Sequence, residues 1–260
     1  MMASMPTILA LDFDGVICDG LIEYFQTAWR TYCQIWSPAS QIPPDDLATN
    51  FYRLRPVIET GWEMPVLIRA LLLGISEEKI LQEWATIAQN LLEEAGLVAT
   101  DIGRRLDQIR DEWIATDLAN WLSLHRFYPG VVERLQSLVI SPVQLVIVTT
   151  KEGRFVRQLL QQQGIQMPNK GIIGKSKRPK HQIIRELLTV TDETPSSLWF
   201  VEDRLKTLQL VQQQLDLDTV KLYLADWGYN TAPERESVRC DPRIHLLSLS
   251  QFAQDFPAWS

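Results

Sequence analysis

The segment Asp12-Phe13-Asp14-Gly15 sets two carboxylates one residue apart and follows them with a glycine. The apolar run Ile8-Leu9-Ala10-Leu11 leads directly into it. A short apolar run bounded by a turn residue reads as a buried strand, and Gly15 allows a sharp exit from that strand. In an open α/β sheet the reactive crevice lies outside the carboxyl ends of the strands, so both acids stand where chemistry is done. If the strand continues through them, the two side chains share one face. Buried carboxylates without a counter-ion are costly or take up protons, so the pair predicts a cation between them. For this segment alone, a strand-end aspartate capping a turn is the simpler alternative.

Three further groups follow the same pattern. Leu198-Trp199-Phe200-Val201 runs into Glu202-Asp203, a second acidic pair at a predicted strand end. Mg²⁺ takes oxygen ligands, usually one or two carboxylates with waters and a substrate phosphate, and two acidic strand ends can supply them. The run Leu145-Val146-Ile147-Val148 ends in Thr149-Thr150-Lys151. A hydroxyl there can donate to a phosphoryl oxygen beside the amides of the next helix. A threonine capping that helix is the alternative. Between these two strand ends lies Gly174-Lys175-Ser176-Lys177-Arg178-Pro179-Lys180-His181, a dense basic cluster in a chain of net charge −7. Solvated lysines are the ordinary reading of such a run, but this one sits at the entry to a predicted helix, between two reactive strand ends.

The elements that must position these groups fall into two styles. From about residue 19 to 125 the apolar spacing is helical throughout. Leu21, Phe25, Ala28, Tyr32 and Ile35 recur at three to four residues. Ser76 with Glu77 and Glu78 behind it predicts an N-cap, Gly96 the end of that helix, and Asp101 the start of another. Pro43-Pro44 and the stretch 61–65 predict breaks. Most of the nine tryptophans fall in this region and are expected to pack it. After Tyr128-Pro129-Gly130, helices are predicted over 131–138, 154–163, 181–188 and 205–215, alternating with strands over 144–148, 172–173, 198–201 and 220–224. Such alternation implies a parallel sheet covered on both faces. The first strand belongs to that sheet, so the helical module is an insertion, with a core of 1–18 and 128–260 around a helical 19–127.

Composition narrows the function classes. An acidic chain of 260 residues with 46% hydrophobic and 22% charged residues is an ordinary globular protein, and no nucleic-acid or membrane-surface partner is expected of it. Three cysteines without Cys-x-x-Cys spacing suggest reduced thiols, and no basic segment leads into the short apolar run at 8–11. The expected location is cytoplasmic.

In their order, these motifs resemble those of the haloacid dehalogenase superfamily: Asp-x-Asp-Gly after a strand, a strand ending in Thr, a lysine at a helix start and an acidic pair. The helical insertion after the first motif and the Glu-Asp form of the last resemble the phosphoglycolate phosphatase and β-phosphoglucomutase branch. Trp227-Gly228-Tyr229 also resembles a segment common in phosphoglycolate-type members. The resemblance implies an α/β, Rossmann-like parallel-sheet core with an inserted all-α cap domain. It implies a hydrolase, a phosphatase using Mg²⁺ on a small phosphorylated metabolite. Asp12 becomes the nucleophile and Asp14 the acid and base. Thr149, or Thr150, and Lys180, or Lys177, face the phosphate. The metal falls to Asp12, the Asp14 carbonyl, Glu202 and Asp203, with the direct ligand of the last pair left open. Gly15, Thr150 and Arg55 are further candidate substrate contacts. In Arg53-Leu54-Arg55-Pro56 an arginine can grip a substrate anion bidentately, or simply pair with Glu59 or Glu63. Asp14 argues against a dehalogenase, which needs no acid for a halide, and Lys79, the only lysine of the insertion, leaves little scope for a Schiff-base phosphonate hydrolase. A phosphomutase, a receiver-type phosphoacceptor and a non-catalytic binding protein are the alternatives. The sequence identifies neither the substrate nor the oligomeric state.

Overall fold

The computed structural model describes residues 5–176, 178–189 and 197–259. The chain forms two compact units, Met1–Asp19 with Arg126–Ser260, and Gly20–His125. The strands, all in the first unit, are β1 (Ile8–Leu11), β2 (Cys18–Asp19), β3 (Arg126–Phe127), β4 (Gln144–Val148), β5 (Ile172–Ile173), β6 (Leu198–Glu202), β7 (Lys221–Ala225) and β8 (Ile244–Leu247). Six of them make one parallel sheet in the order β5-β4-β1-β6-β7-β8, while β2 and β3 pair antiparallel where the chain leaves this unit and returns to it.

β1 is central and buried along its whole length, which explains its unbroken apolar run. Leu11 is level with Ile147 of β4 on one side and Val201 of β6 on the other. The residues that follow these three strands therefore emerge at one edge of the sheet. Because sheet side chains alternate, the two faces carry different cores. One is aliphatic, with Ile8, Ala10, Val146, Val148, Phe200 and Leu222 packed against Ile183, Ile184 and Leu208. The other is aromatic: Trp199 packs on Tyr223, Phe256 and Trp259, and Trp259 stacks on Phe252.

The second unit contains α1 (Leu21–Trp36), α2 (Leu47–Leu54), α3 (Glu63–Leu72), α4 (Glu77–Ala95) and α5 (Ala99–Ser123). Ser76 caps α4 by accepting from the Lys79 amide, and Gly96 ends the helix with φ +63°. Its least expected feature is polar. Glu23 is fully buried, and its Oε1 accepts from Thr27 Oγ1 (2.7 Å), Arg110 Nε (2.8 Å) and Trp121 Nε1 (3.2 Å). Charge and hydrogen bonds together hold this carboxylate among apolar helices.

In the first unit α6 (Val131–Val139), α7 (Gly153–Gln162), α8 (Lys180–Thr189), α9 (Leu205–Gln212), α10 (Ala232–Ser237) and α11 (Leu249–Phe252) cover the sheet. Among the described residues no helix is long and apolar enough to cross a membrane.

Several expectations are corrected. β1 does not run on through Asp12 and Asp14. It stops at Leu11, and the Phe13 carbonyl accepts from the Ile17 and Cys18 amides, turning the chain at Gly15 with φ +86°. The break predicted at 61–65 is the start of α3, with Pro65 in the first turn, where its missing N–H forfeits no helical bond. The helix predicted from Asp101 starts at Ala99, and Asp101 lies in its first turn. The helix predicted over 205–215 ends at Gln212 and is followed by a separate 3₁₀ turn at Leu215–Leu217. β8 was not predicted, because His245 interrupts its apolar pattern.

Replacing Arg110 by Met, which leaves the Glu23 carboxylate buried without its cation, is expected to cost about 3 kcal/mol of stability, read as a lower urea midpoint at unchanged slope.

Candidate active site

At the shared sheet edge the chain gathers charge. Asp12 directly follows β1, and its amide donates to the Val201 carbonyl (2.9 Å). Its Oδ1 accepts from the Phe13 amide (2.7 Å) and lies 2.9 Å from Lys180 Nζ. Glu202 ends β6, with Oε2 accepting from the same ammonium (2.6 Å) and Oε1 from the Arg204 amide (3.2 Å). Asp203, the next residue, accepts from the Tyr229 amide through Oδ2 (2.9 Å). Carboxylate oxygens of Asp12, Glu202 and Asp203 all lie within 4.8 Å of one another. Lys180 opens α8, and there its ammonium bridges Asp12 and Glu202.

Three buried carboxylates face one ammonium, and their proton affinities show the imbalance. Burial, then the Glu202 charge, pushes the Asp12 carboxyl up to about 8 despite Lys180. Burial and the Asp12 charge push Asp203 up to about 6, against the Tyr229 amide. Burial likewise raises Glu202. For Lys180 burial alone would weaken the ammonium, but Asp12 and Glu202 outweigh it and hold the proton more tightly. Hard oxygen donors with an excess of negative charge fit a small divalent cation.

The position of Asp203 is set by its surroundings. A Cβ on Gly15 would lie 2.2 Å from Asp203 Oδ2, and one on Gly228 2.3 Å from Asp203 Cβ, so neither position admits a side chain. Asn230 Nδ2 donates to the Asp203 carbonyl (2.9 Å) and the Ala225 carbonyl (2.8 Å), and Arg204 Nη1 donates to the Tyr229 carbonyl (2.7 Å). The Trp227-Gly228-Tyr229 segment is thus the support of Asp203.

The other expected residues divide. Thr149 follows β4 directly and is buried; its amide donates to Ile173 (3.0 Å) and its Oγ1 accepts from the Lys151 amide (3.1 Å). That bond uses the oxygen as acceptor and leaves the hydroxyl proton available for donation. Thr150 is exposed in the turn beyond it. Asp14 does not join the three converging carboxylates: its Oδ1 is buried and lies 3.3 Å from Lys151 Nζ. Lys177, the alternative to Lys180, lies outside the described residues. Arg55 belongs to the helical unit, where Nη1 donates to the Ile58 carbonyl (3.0 Å) and the guanidinium lies over the Tyr24 ring. Its neighbour Arg53 pairs with Glu77 rather than with Glu59 or Glu63. Glu63 is instead occupied by the Glu59 and Thr60 amides and the Trp84 indole. The sequence reading assigned no role to Lys151; its place directly behind the two threonines at a strand end was the signal.

Residues 71–213, more than half of the chain, match the family of haloacid dehalogenase-like hydrolases. The chain belongs to that family. The matched stretch contains Thr149, Lys180, Glu202 and Asp203, and the parallel sheet of this haloacid dehalogenase-like hydrolase sets Asp12 beside them. Hydrolases of the family generally use a divalent metal, which the carboxylate set suits. No curated protein matches the chain. Among solved structures it is similar to a predicted phosphoglycolate phosphatase from Haemophilus somnus 129pt, at 17% identity over 94% of each chain and a TM-score of 0.61. A predicted phosphatase from Clostridium acetobutylicum is similar at 15% identity, covering 96% of this chain and 97% of that one, with a TM-score of 0.55. A haloacid dehalogenase-like hydrolase from Streptococcus pneumoniae follows at 16% identity over 93% of each chain, with a TM-score of 0.53. At these identities the likeness is one of fold.

If the three acids repel one another as their burial implies, Mg²⁺ or Mn²⁺ should raise the melting temperature of this hydrolase. Asp203→Asn should melt higher than the wild type in chelator and should lose the metal-dependent rise, as read by calorimetry.

Proposed function

We propose that the protein is a Mg²⁺-dependent phosphomonoester hydrolase acting on a small phosphorylated metabolite through an aspartyl-phosphate on Asp12. The observation that carries this reading is the Lys180 ammonium bridging Asp12 and Glu202, inside a buried carboxylate cluster at the end of the central strand. Lys180 fixes the Asp12 carboxylate and supplies positive charge for an incoming phosphoryl group. Thr149 donates its hydroxyl to an equatorial oxygen, with Gly15 and Thr150 as further candidate substrate contacts; the Gly15 amide itself donates to the Cys18 carbonyl (2.9 Å).

Asp12, the Asp14 carbonyl, Asp203 and Glu202 are the groups assigned to the metal, which when bound offsets the repulsion between carboxylate and phosphate. Both Glu202 oxygens already accept protein hydrogen bonds, so its first duty is to hold Lys180. Asp203 Oδ2 is held by Tyr229, which leaves Oδ1 for the ion.

In the first step an Asp12 oxygen bonds to phosphorus as the phosphorus–alcohol bond breaks, and protonated Asp14 gives its proton to the departing oxygen. In the second, Asp14 carboxylate takes a proton from water as the water oxygen bonds to phosphorus and the Asp12–phosphorus bond breaks. Phosphate leaves, Asp12 is free and Asp14 is protonated again. We assign residues 1–18 and 128–260 to the catalytic core and 19–127 to a helical cap.

Phosphate release from p-nitrophenyl phosphate, 2-phosphoglycolate and sugar phosphates, with and without Mg²⁺, tests the reading. Turnover should require Mg²⁺ and vanish in Asp12→Asn, while Lys180→Met should lower kcat by about 10²–10³-fold. Release that survives Asp12→Asn or ignores the metal would overturn it.

A further inference from the structure

The geometry points to Lys151 as the residue that positions Asp14 for proton transfer to the leaving group, an inference that rests on the reading of Asp14 just given. The two side chains form an almost closed pair: Lys151 Nζ lies 3.3 Å from Asp14 Oδ1, with 9% of the lysine and 15% of the aspartate side chain exposed. Asp14 Oδ1 itself is buried and accepts no hydrogen bond, so the ammonium is its electrostatic partner. The exposure left to the carboxyl therefore belongs to its other side. A carboxyl clamped through one oxygen presents the second in a fixed direction, and orientation of this kind is a large part of what a general acid contributes.

The lysine is built into place rather than draped over the surface. Its amide donates to Thr149 Oγ1 (3.1 Å), and its carbonyl accepts from the Lys175 amide (3.0 Å). Gly174 closes the other side: a Cβ there would lie 2.5 Å from both the Lys151 carbonyl oxygen and the Gly153 amide. The turn after β4 and the turn after β5 thus hold the Lys151 backbone between them. A lysine serving only as a surface charge would need none of this.

Thr149 and Lys151 then divide the work of one strand end. The threonine hydroxyl faces the phosphoryl group, whereas the lysine acts through Asp14 on the alcohol. That division predicts dependence on the leaving group. p-Nitrophenolate departs as a stabilised anion and needs little help, whereas an alkoxide needs the proton.

The test compares wild type, Lys151→Met, Lys151→Arg, Asp14→Asn and Asp12→Asn on p-nitrophenyl phosphate and on an alkyl ester such as 2-phosphoglycolate or glycerol phosphate. Read as the single-turnover rate of Asp12 phosphorylation, which isolates the leaving-group step from the water step that Asp14 also serves, Lys151→Met is expected to lose about 10²-fold on the alkyl ester and little on p-nitrophenyl phosphate, with half-saturation little changed. Asp14→Asn should show the same selectivity in that first step more strongly while slowing the second step for both esters, and Lys151→Arg should restore most of the alkyl-ester phosphorylation rate. Gly174→Ala, which displaces the Lys151 backbone, should reproduce the selective loss in weaker form and serves if Lys151→Met does not fold. Equal losses of the phosphorylation rate on both esters, or a change confined to the half-saturating concentration, would overturn the inference and make Lys151 a phosphate-binding or purely structural residue. Full alkyl-ester activity in Lys151→Met would overturn it as well. If Asp14→Asn shows no selectivity, the reading of Asp14 has failed, and if Asp12→Asn remains active, the proposed function has failed; each is separate from a failure of Lys151 alone.

Discussion

Three carboxylates and one ammonium, taken out of water together, are the constraint on which the rest of this structure turns. Asp12, Glu202 and Asp203 repel one another across less than 5 Å, and Lys180 compensates only part of that repulsion. Such a cluster is a poor way to stabilise a fold, since burying charge costs more than a single partner returns. It is tolerable because the surrounding backbone is hydrogen-bonded and closely packed. Asp12 follows the central strand with its amide held by the Val201 carbonyl of β6, and the two glycines at 15 and 228 bring backbone against Asp203 where no side chain would fit. Local instability is concentrated where a cation and an anionic substrate would relieve it.

The parallel sheet is what makes such convergence cheap in sequence. Residues at 12, 149 and 202 are far apart along the chain, yet β4-β1-β6 adjacency and register deliver them to one edge. Lys180 arrives from a helix start, so its charge comes with the fixed geometry of the first turn. The insertion of 20–125 interrupts the core between β2 and β3, a two-residue antiparallel pair that closes the sheet unit on itself. That unit keeps its edge intact while a second, helical unit with Glu23 buried inside it forms between the two crossings.

Much of this was legible in the residues because burial on both faces writes an unbroken apolar run. β1, β4 and β6 were read from such runs, and the charged residues that end them stood out for that reason. Ser76 and Gly96 were legible because helix ends have their own chemistry. The losses have equally physical causes. Asp12 and Asp14 looked like one face of a strand, but a turn on the Phe13 carbonyl separates them and sends Asp14 to Lys151 rather than to the other acids. β8 escaped because a half-buried edge strand tolerates His245. Pro65 read as a break because sequence alone does not say whether a proline stands before a helix or in its first turn. The support of Asp203 by Tyr229 and Asn230 joins residues that only the fold brings together. The substrate stayed illegible, since arginines such as Arg53 and Arg55 have many partners to choose from.

The central claim is that Asp12 carries the phosphoryl group during turnover. A single-turnover reaction with a substrate labelled in its phosphoryl group, quenched in acid and digested, tests it directly. The account predicts a label that is stable in acid, lost in mild base, and confined to the peptide containing Asp12. Label on another residue, or none while phosphate is being released, would contradict it.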